Sequence, residues 1–207
     1  MRKSILSLAI KDRLIYLFLF ILLCPLGSTY GADGNEDALP VIGIVMSLDC
    51  PNCKSVFEKR KFIHQVCRVG SYDKLCDVRY LPFIGEENDY RADLYYEIFK
   101  IDVEASEKYI EAIYTLNIDR TIELEELAFL VSGYLGNNLD MDEIIGSVKS
   151  GDRLEVKKVG RIINRYSIVD YPTFMMFEER EVRVINPTID PSERLEVALR
   201  WIENELE

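Results

Sequence analysis

The residues of this 207-residue chain whose types and spacing could do chemistry are Cys50-Pro51-Asn52-Cys53. Two thiols three positions apart lie one helical turn from each other. A thiol at the start of a helix meets unpaired backbone N–H groups and the positive end of the macrodipole, which favour a thiolate. Its pKa then falls below the free value of about 8.5, and it becomes a nucleophile near neutral pH. The second thiol, one turn on, can attack a mixed disulfide and resolve it. Pro51 suits this first turn, where its missing N–H costs nothing. The pattern predicts dithiol–disulfide exchange with Cys50 as attacking thiol and Cys53 as buried resolving thiol. Neither metal nor nucleotide is needed, so no cofactor is expected.

The remaining ionisable candidates are few. Cys67 and Cys76 would close a ten-residue loop, and a bridge there contributes about 2–3 kcal/mol by the chain-entropy model. A structural disulfide is the expectation for this pair; a second redox pair is the alternative, with no CxxC spacing behind it. Four thiols at Cys50-x2-Cys53-x13-Cys67-x8-Cys76 also raise a zinc site, although structural sites usually pair two close-spaced knuckles. His64 is the single histidine, which excludes any site that needs two. It follows Cys53 by eleven residues, about 16 Å along a helix at 1.5 Å per residue, so it cannot serve Cys50 as a base unless that helix breaks.

The elements that must position the thiols are legible around them. Val41 to Leu48 is an apolar run of strand length, as in a strand buried on both faces. After the CxxC, Val56, Phe57, Arg60, Ile63, Val66 and Cys67 recur at helical spacing, and a second strand runs from Val78 to Ile84. Strand, CxxC, helix, strand makes a βαβ unit. Helical spacing then continues through Leu94/Tyr95/Ile98/Phe99, Ile110/Ile113/Tyr114 and Leu127/Leu130/Val131/Tyr134. Asp140 with Glu143 forms a capping-box pattern, and a last helix of this region is expected over 153–166. Thr173 to Phe177 and Val182 to Ile185 make a hairpin across a charged turn. A closing helix starts at Asp190-Pro191-Ser192-Glu193 and carries Leu195, Ala198, Leu199, Ile202 and Leu206 on its inner face, with Trp201 packed beside them. The expected division is a linker over 33–40, an α/β domain over 41–85 and 167–207, and a helical insertion over 86–166.

The first 32 residues read as a signal peptide. Basic residues end at Arg13, Leu14 to Leu23 is an unbroken ten-residue apolar run, and small residues suited to cleavage follow to Ala32. Ten apolar residues are too few to span a bilayer comfortably, where about 20 are wanted; an uncleaved membrane anchor is the alternative. Either reading places the rest outside the cytoplasm, where disulfides persist. Of the chain's 25 basic and 36 acidic residues, this segment holds four and one, so the remainder carries 21 and 35, a net charge of −14. That argues against nucleic-acid binding, which needs a basic face. An apolar fraction of 48% with twelve tyrosines argues against disorder.

Tyr171-Pro172-Thr173, with Pro172 lying 122 residues after Cys50 and directly before a strand, completes the pattern. In order and spacing, residues 40–206 resemble the DsbA-like thiol–disulfide oxidoreductases of the thioredoxin superfamily: an α/β thioredoxin-like fold with an inserted helical subdomain. The resemblance implies a cis-proline at Pro172 beside the CxxC, with Tyr171 and Pro172 holding an extended client. It implies cysteine-containing client proteins, a membrane redox partner that recharges the active-site pair, a periplasmic or other extracytoplasmic location, and a monomer. An oxidase is the expected direction, with a reductase, an isomerase or a redox-inactive binding module as alternatives. There are departures from the pattern. DsbA has Pro-His between its cysteines where this chain has Pro51-Asn52, and an uncharged Asn52 implies a less depressed thiol and a less oxidising couple. Asp49 disfavours a neighbouring thiolate and Lys54 opposes it. The position six residues before Cys50, acidic in DsbA, is Ile44. Glu58 on the same helix is a candidate for part of the proton handling, or simply a solvated carboxylate.

Overall fold

The structure, a computed structural model, describes residues 39–69, 73–83, 89–136, 138–151, 153–178, 181–185, 190 and 193–206. The signal-peptide reading and nearly all of the linker lie outside the described residues. The central strand β1 (Val41–Ser47) pairs in parallel with β4 (Asp77–Phe83) on one side and antiparallel with β5 (Thr173–Phe177) on the other. The strand β6 (Val182–Val184) extends the sheet beyond β5, giving the order β4-β1-β5-β6. Five of the seven β1 residues are buried, because the strand has neighbours on both edges and cover on both faces. Pro82 is tolerated in β4 because β4 is an edge strand. Gly43 in β1 is required by crowding: a Cβ there would sit 2.5 Å from Cε2 of Phe177.

The crossover from β1 to β4 carries two helices where the spacing predicts one. They are α1 (Pro51–Glu58) and α2 (Arg60–Val66), separated at Lys59 by a tight turn in which its N–H bonds the Val56 carbonyl at 3.1 Å. The apolar stripe continues across the break, which is why periodicity alone does not reveal it. Cys67 follows α2 directly, and a short hairpin of β2 (Arg68–Val69) and β3 (Asp73–Lys74) leads to Cys76. The sulfurs of Cys67 and Cys76 are bonded, with Cα atoms 4.9 Å apart, inside the usual range. Two-residue strands lie below anything alternation can signal.

Between β4 and β5 stand α3 (Arg91–Ile101), α4 (Val103–Leu116), α5 (Leu124–Leu135), α6 (Met141–Ser150) and α7 (Leu154–Arg165), the helical insertion. Asp140 caps α6 by accepting the Asp142 and Glu143 N–H groups at 3.1 Å each. Leu127 and Val131 of α5 enter the core, whereas Leu130 and Tyr134, at the same helical spacing, are exposed. The closing helix α8 (Arg194–Leu206) buries Arg194, Ala198 and Ile202; Leu195, Leu199, Trp201 and Leu206 pack partly buried against the core. The element order is that of an α/β thioredoxin-like fold with an inserted helical subdomain.

Candidate active site

The CxxC sits where β1 ends and α1 begins, so the first cysteine occupies the helix cap. Cys50 is extended, at φ −86° and ψ 118°, and its sulfur accepts the Cys53 N–H at 3.3 Å, the hydrogen bond that a serine or aspartate usually makes at this position. Pro51 stands in the first turn. Neither thiol is bridged; Cys50 is half-buried and Cys53 fully buried. Cys50 Sγ lies 3.6 Å from the Tyr171 carbonyl, so the CxxC meets the loop before β5 across 121 residues of sequence. The Tyr171–Pro172 peptide is cis, and the Tyr171 ring stacks on Phe83, the last residue of β4.

The electrostatics follow from this arrangement. A hydrogen bond from the Cys53 thiol does most to lower the Cys50 pKa, to about 6; backbone N–H groups of Cys53 and Asn52 and the positive charge of Arg194 act the same way, against partial burial. The Cys53 pKa is raised, first by that same hydrogen bond to Cys50 and then by burial. Asn52 thus meets the Cys50 sulfur through its main chain, while the residue itself is exposed.

Asp49 and Lys54, on either side of the CxxC, each have a partner in the helical insertion. Both carboxylate oxygens of Asp49 are held by the Arg91 guanidinium at 2.8 Å, and the Asp49 pKa is lowered, chiefly by that hydrogen bond. Arg91 is 1% exposed, and its five N–H groups are all used: two on Asp49, two on Asp89 at 2.8–2.9 Å, and one shared with the Ile118 carbonyl at 3.0 Å. Lys54 Nζ bonds the Tyr114 carbonyl at 3.0 Å near the C-terminal end of α4, where a cation is favoured. The Tyr114 hydroxyl in turn reaches the Ser47 carbonyl at 3.5 Å. The residues flanking the CxxC are therefore fastened to the helical insertion at three points.

Glu58 is exposed and lines an open groove of about 500 Å³ with Arg60, Lys61, His64, Gln65 and Arg68; neither thiol lines it. His64 Nε2 stands 3.4 Å from Glu107 Oε1 on α4. Cys67 and Cys76 are 2% and 1% exposed and joined to each other, so the four thiols are not gathered around one centre as zinc would need. Ile44 is fully buried in β1.

The sequence reading passes over two cations of this site. Arg91 and Arg194 both fall on the buried stripe of a helix, Arg91 ahead of Leu94, Tyr95 and Ile98, and Arg194 four before Ala198. A charge at an apolar spacing is the signal that could have found them.

No protein-family model and no curated protein matches the sequence. Solved structures do match. Oxidoreductase DsbA from Xylella fastidiosa superposes with a TM-score of 0.58 at 14% identity, covering 83% of this chain and 89% of that one. Pseudomonas aeruginosa DsbA gives a TM-score of 0.54 at 15% identity over 88% and 89%. Reduced DsbA1 from Neisseria meningitidis gives 0.53 at 12% identity over 88% and 98%. At such identities the likeness speaks for the fold: this chain has the DsbA-like thioredoxin fold, with its helical insertion.

Proposed function

We propose that the protein is an extracytoplasmic thiol–disulfide oxidoreductase acting on client proteins through Cys50 and Cys53, in the direction of an oxidase. The observation that carries the reading is the Cys50 sulfur itself. It caps α1, takes the Cys53 N–H, and lies 3.6 Å from the carbonyl that precedes the cis-proline. This sulfur is the half-exposed, low-pKa thiol of the pair, and Cys53 is the buried one.

In the oxidising direction a client thiolate attacks Cys50 Sγ of the Cys50–Cys53 disulfide. The client–Cys50 bond forms, the bond to Cys53 breaks, and Cys53 leaves with the electron pair and takes a proton. A second client thiolate then attacks the client sulfur of the mixed disulfide and expels Cys50 as a thiolate, the better leaving group of the pair because its pKa is lower. The client loses two electrons and gains a disulfide; the protein gains two electrons and becomes a dithiol. Tyr171 and Pro172 hold the client strand against Cys50. A membrane redox partner reoxidises the dithiol. No cofactor takes part.

A disulfide reductase is the second reading. The Cys50 pKa of about 6 lies nearer to that of thioredoxin, about 7, than to that of DsbA, about 3.5.

Oxidation of a reduced two-cysteine peptide by the glutathione-oxidised protein tests the proposal. The wild-type protein should oxidise the peptide, Cys50→Ala should abolish exchange, and Cys53→Ala, carrying glutathione on Cys50, should exchange it for a one-cysteine peptide, releasing glutathione and leaving a peptide–Cys50 mixed disulfide visible by mass. Undiminished exchange in the Cys50→Ala variant would overturn it.

A further inference from the structure

The sulfur of Cys50 faces a loop that a buried arginine contacts from behind. Arg194, the first residue of α8, is 5% exposed. Its Nη1 donates to the Pro172 carbonyl at 3.2 Å, and its Nη2 stands 3.4 Å from Asp170 Oδ2. Asp170 and Pro172 flank Tyr171, whose carbonyl meets Cys50 Sγ. The Asp170 carbonyl also accepts the Thr173 hydroxyl at 2.6 Å, which joins the loop to the start of β5. A buried guanidinium is costly to desolvate and is kept where its planar fork engages fixed acceptors.

We propose that Arg194 is the positioning residue of the exchange site: one guanidinium grips the residues on both sides of Tyr171 and holds a buried positive charge beside the dithiol. The inference rests on the exchange reading above and adds a third group to it. The hydroxyls of Tyr114 and Tyr171 stay neutral, their pKa values raised by burial, and the Asp49 carboxylate is held by Arg91. The positive charge of Arg194 favours ionisation of both Cys50 and Cys53. A lysine would keep the charge but could not span Asp170 and the Pro172 carbonyl with one planar group.

Three variants of the full-length protein separate the two roles. The readouts are the pH midpoint of Cys50 alkylation by iodoacetamide in the reduced protein, and the KM against kcat for a reduced two-cysteine peptide. Arg194→Met should shift the alkylation midpoint upward by up to about one pH unit and raise KM several-fold. Arg194→Lys should return the midpoint to the wild-type position and leave KM raised. Asp170→Asn, which keeps the cation, should leave the midpoint near 6 and raise KM. If Arg194→Met does not fold, Arg194→Lys and Asp170→Asn carry the test alone. A wild-type midpoint and KM in Arg194→Met, or a wild-type KM in both of the other variants, would overturn the proposal. A wild-type protein that exchanges no disulfide would instead overturn the proposed function, so the two failures are distinct.

Discussion

Cys50 lies at the cap of α1, and its ionisation is tied to the reduced state. In that state its pKa is lowered from 9.0 to about 6; in the disulfide it has no proton to lose. Because the folded pKa lies below the unfolded one, the thiolate's contribution to the reduced protein is fully present above about pH 9 and is lost as pH falls through about 6. The reduced form should therefore gain stability relative to the oxidised form across that window, which paired denaturation curves at pH 5, 7 and 9 would show. The same proton sets the slope of the redox potential. Two protons accompany two electrons below pH 6 and one above it, so the slope should fall from about 59 to about 30 mV per pH unit there. Asp49 offers a complementary test. Adjacency alone predicts that Asp49→Asn lowers the Cys50 pKa by removing a nearby negative charge. The grip of Arg91 on that carboxylate predicts a thiolate absorbance titration little changed from wild type, with a stability loss of about 1–3 kcal/mol from the weakened buried cation.

The helical insertion acts on the site through what it fastens. Asp49 is held by Arg91 at the start of α3, Lys54 bonds the Tyr114 carbonyl of α4, and the Tyr114 hydroxyl reaches Ser47. Arg91→Met would leave Asp49 and Asp89 without their shared cation and should cost about 3–5 kcal/mol. Hydrogen exchange should then rise over residues 48–53 before it rises in β1, while uniform exchange would argue against a fastened loop. The main elements were legible because their burial is periodic or continuous: β1 is apolar throughout as the central strand, and α8 repeats at four-residue intervals. The break at Lys59 was not, since the stripe runs on from Phe57 to Ile63 across it. Nor were the contacts of Arg91 and Arg194 with partners 42 and 22 residues away, because an arginine read alone looks solvated. The thiols and Tyr171-Pro172 were legible because spacing and order carry them; the cations that hold their surroundings depend on the tertiary fold.

For the molecule as a whole, two sets of cysteines have different surroundings. Cys67 and Cys76 are bonded and almost fully buried, so a relay role, which needs access to an attacking thiolate, has little support. Cys67→Ala with Cys76→Ala should lose about 2–3 kcal/mol of stability in urea denaturation and keep peptide exchange; loss of exchange in a folded double variant would make the pair part of the chemistry. With a net charge of −14 over residues 33–207, the proposed exchange should run faster with basic than with acidic peptides at low ionic strength, and equal rates would leave the charge no part in client choice. The central claim is that Cys50 and Cys53 oxidise clients, and the equilibrium redox potential of this pair in glutathione buffers at pH 7 tests it most directly. A value between about −120 and −200 mV, less oxidising than DsbA but still above the glutaredoxins, is the predicted result. A value below about −200 mV, towards the −270 mV of thioredoxin, would contradict it.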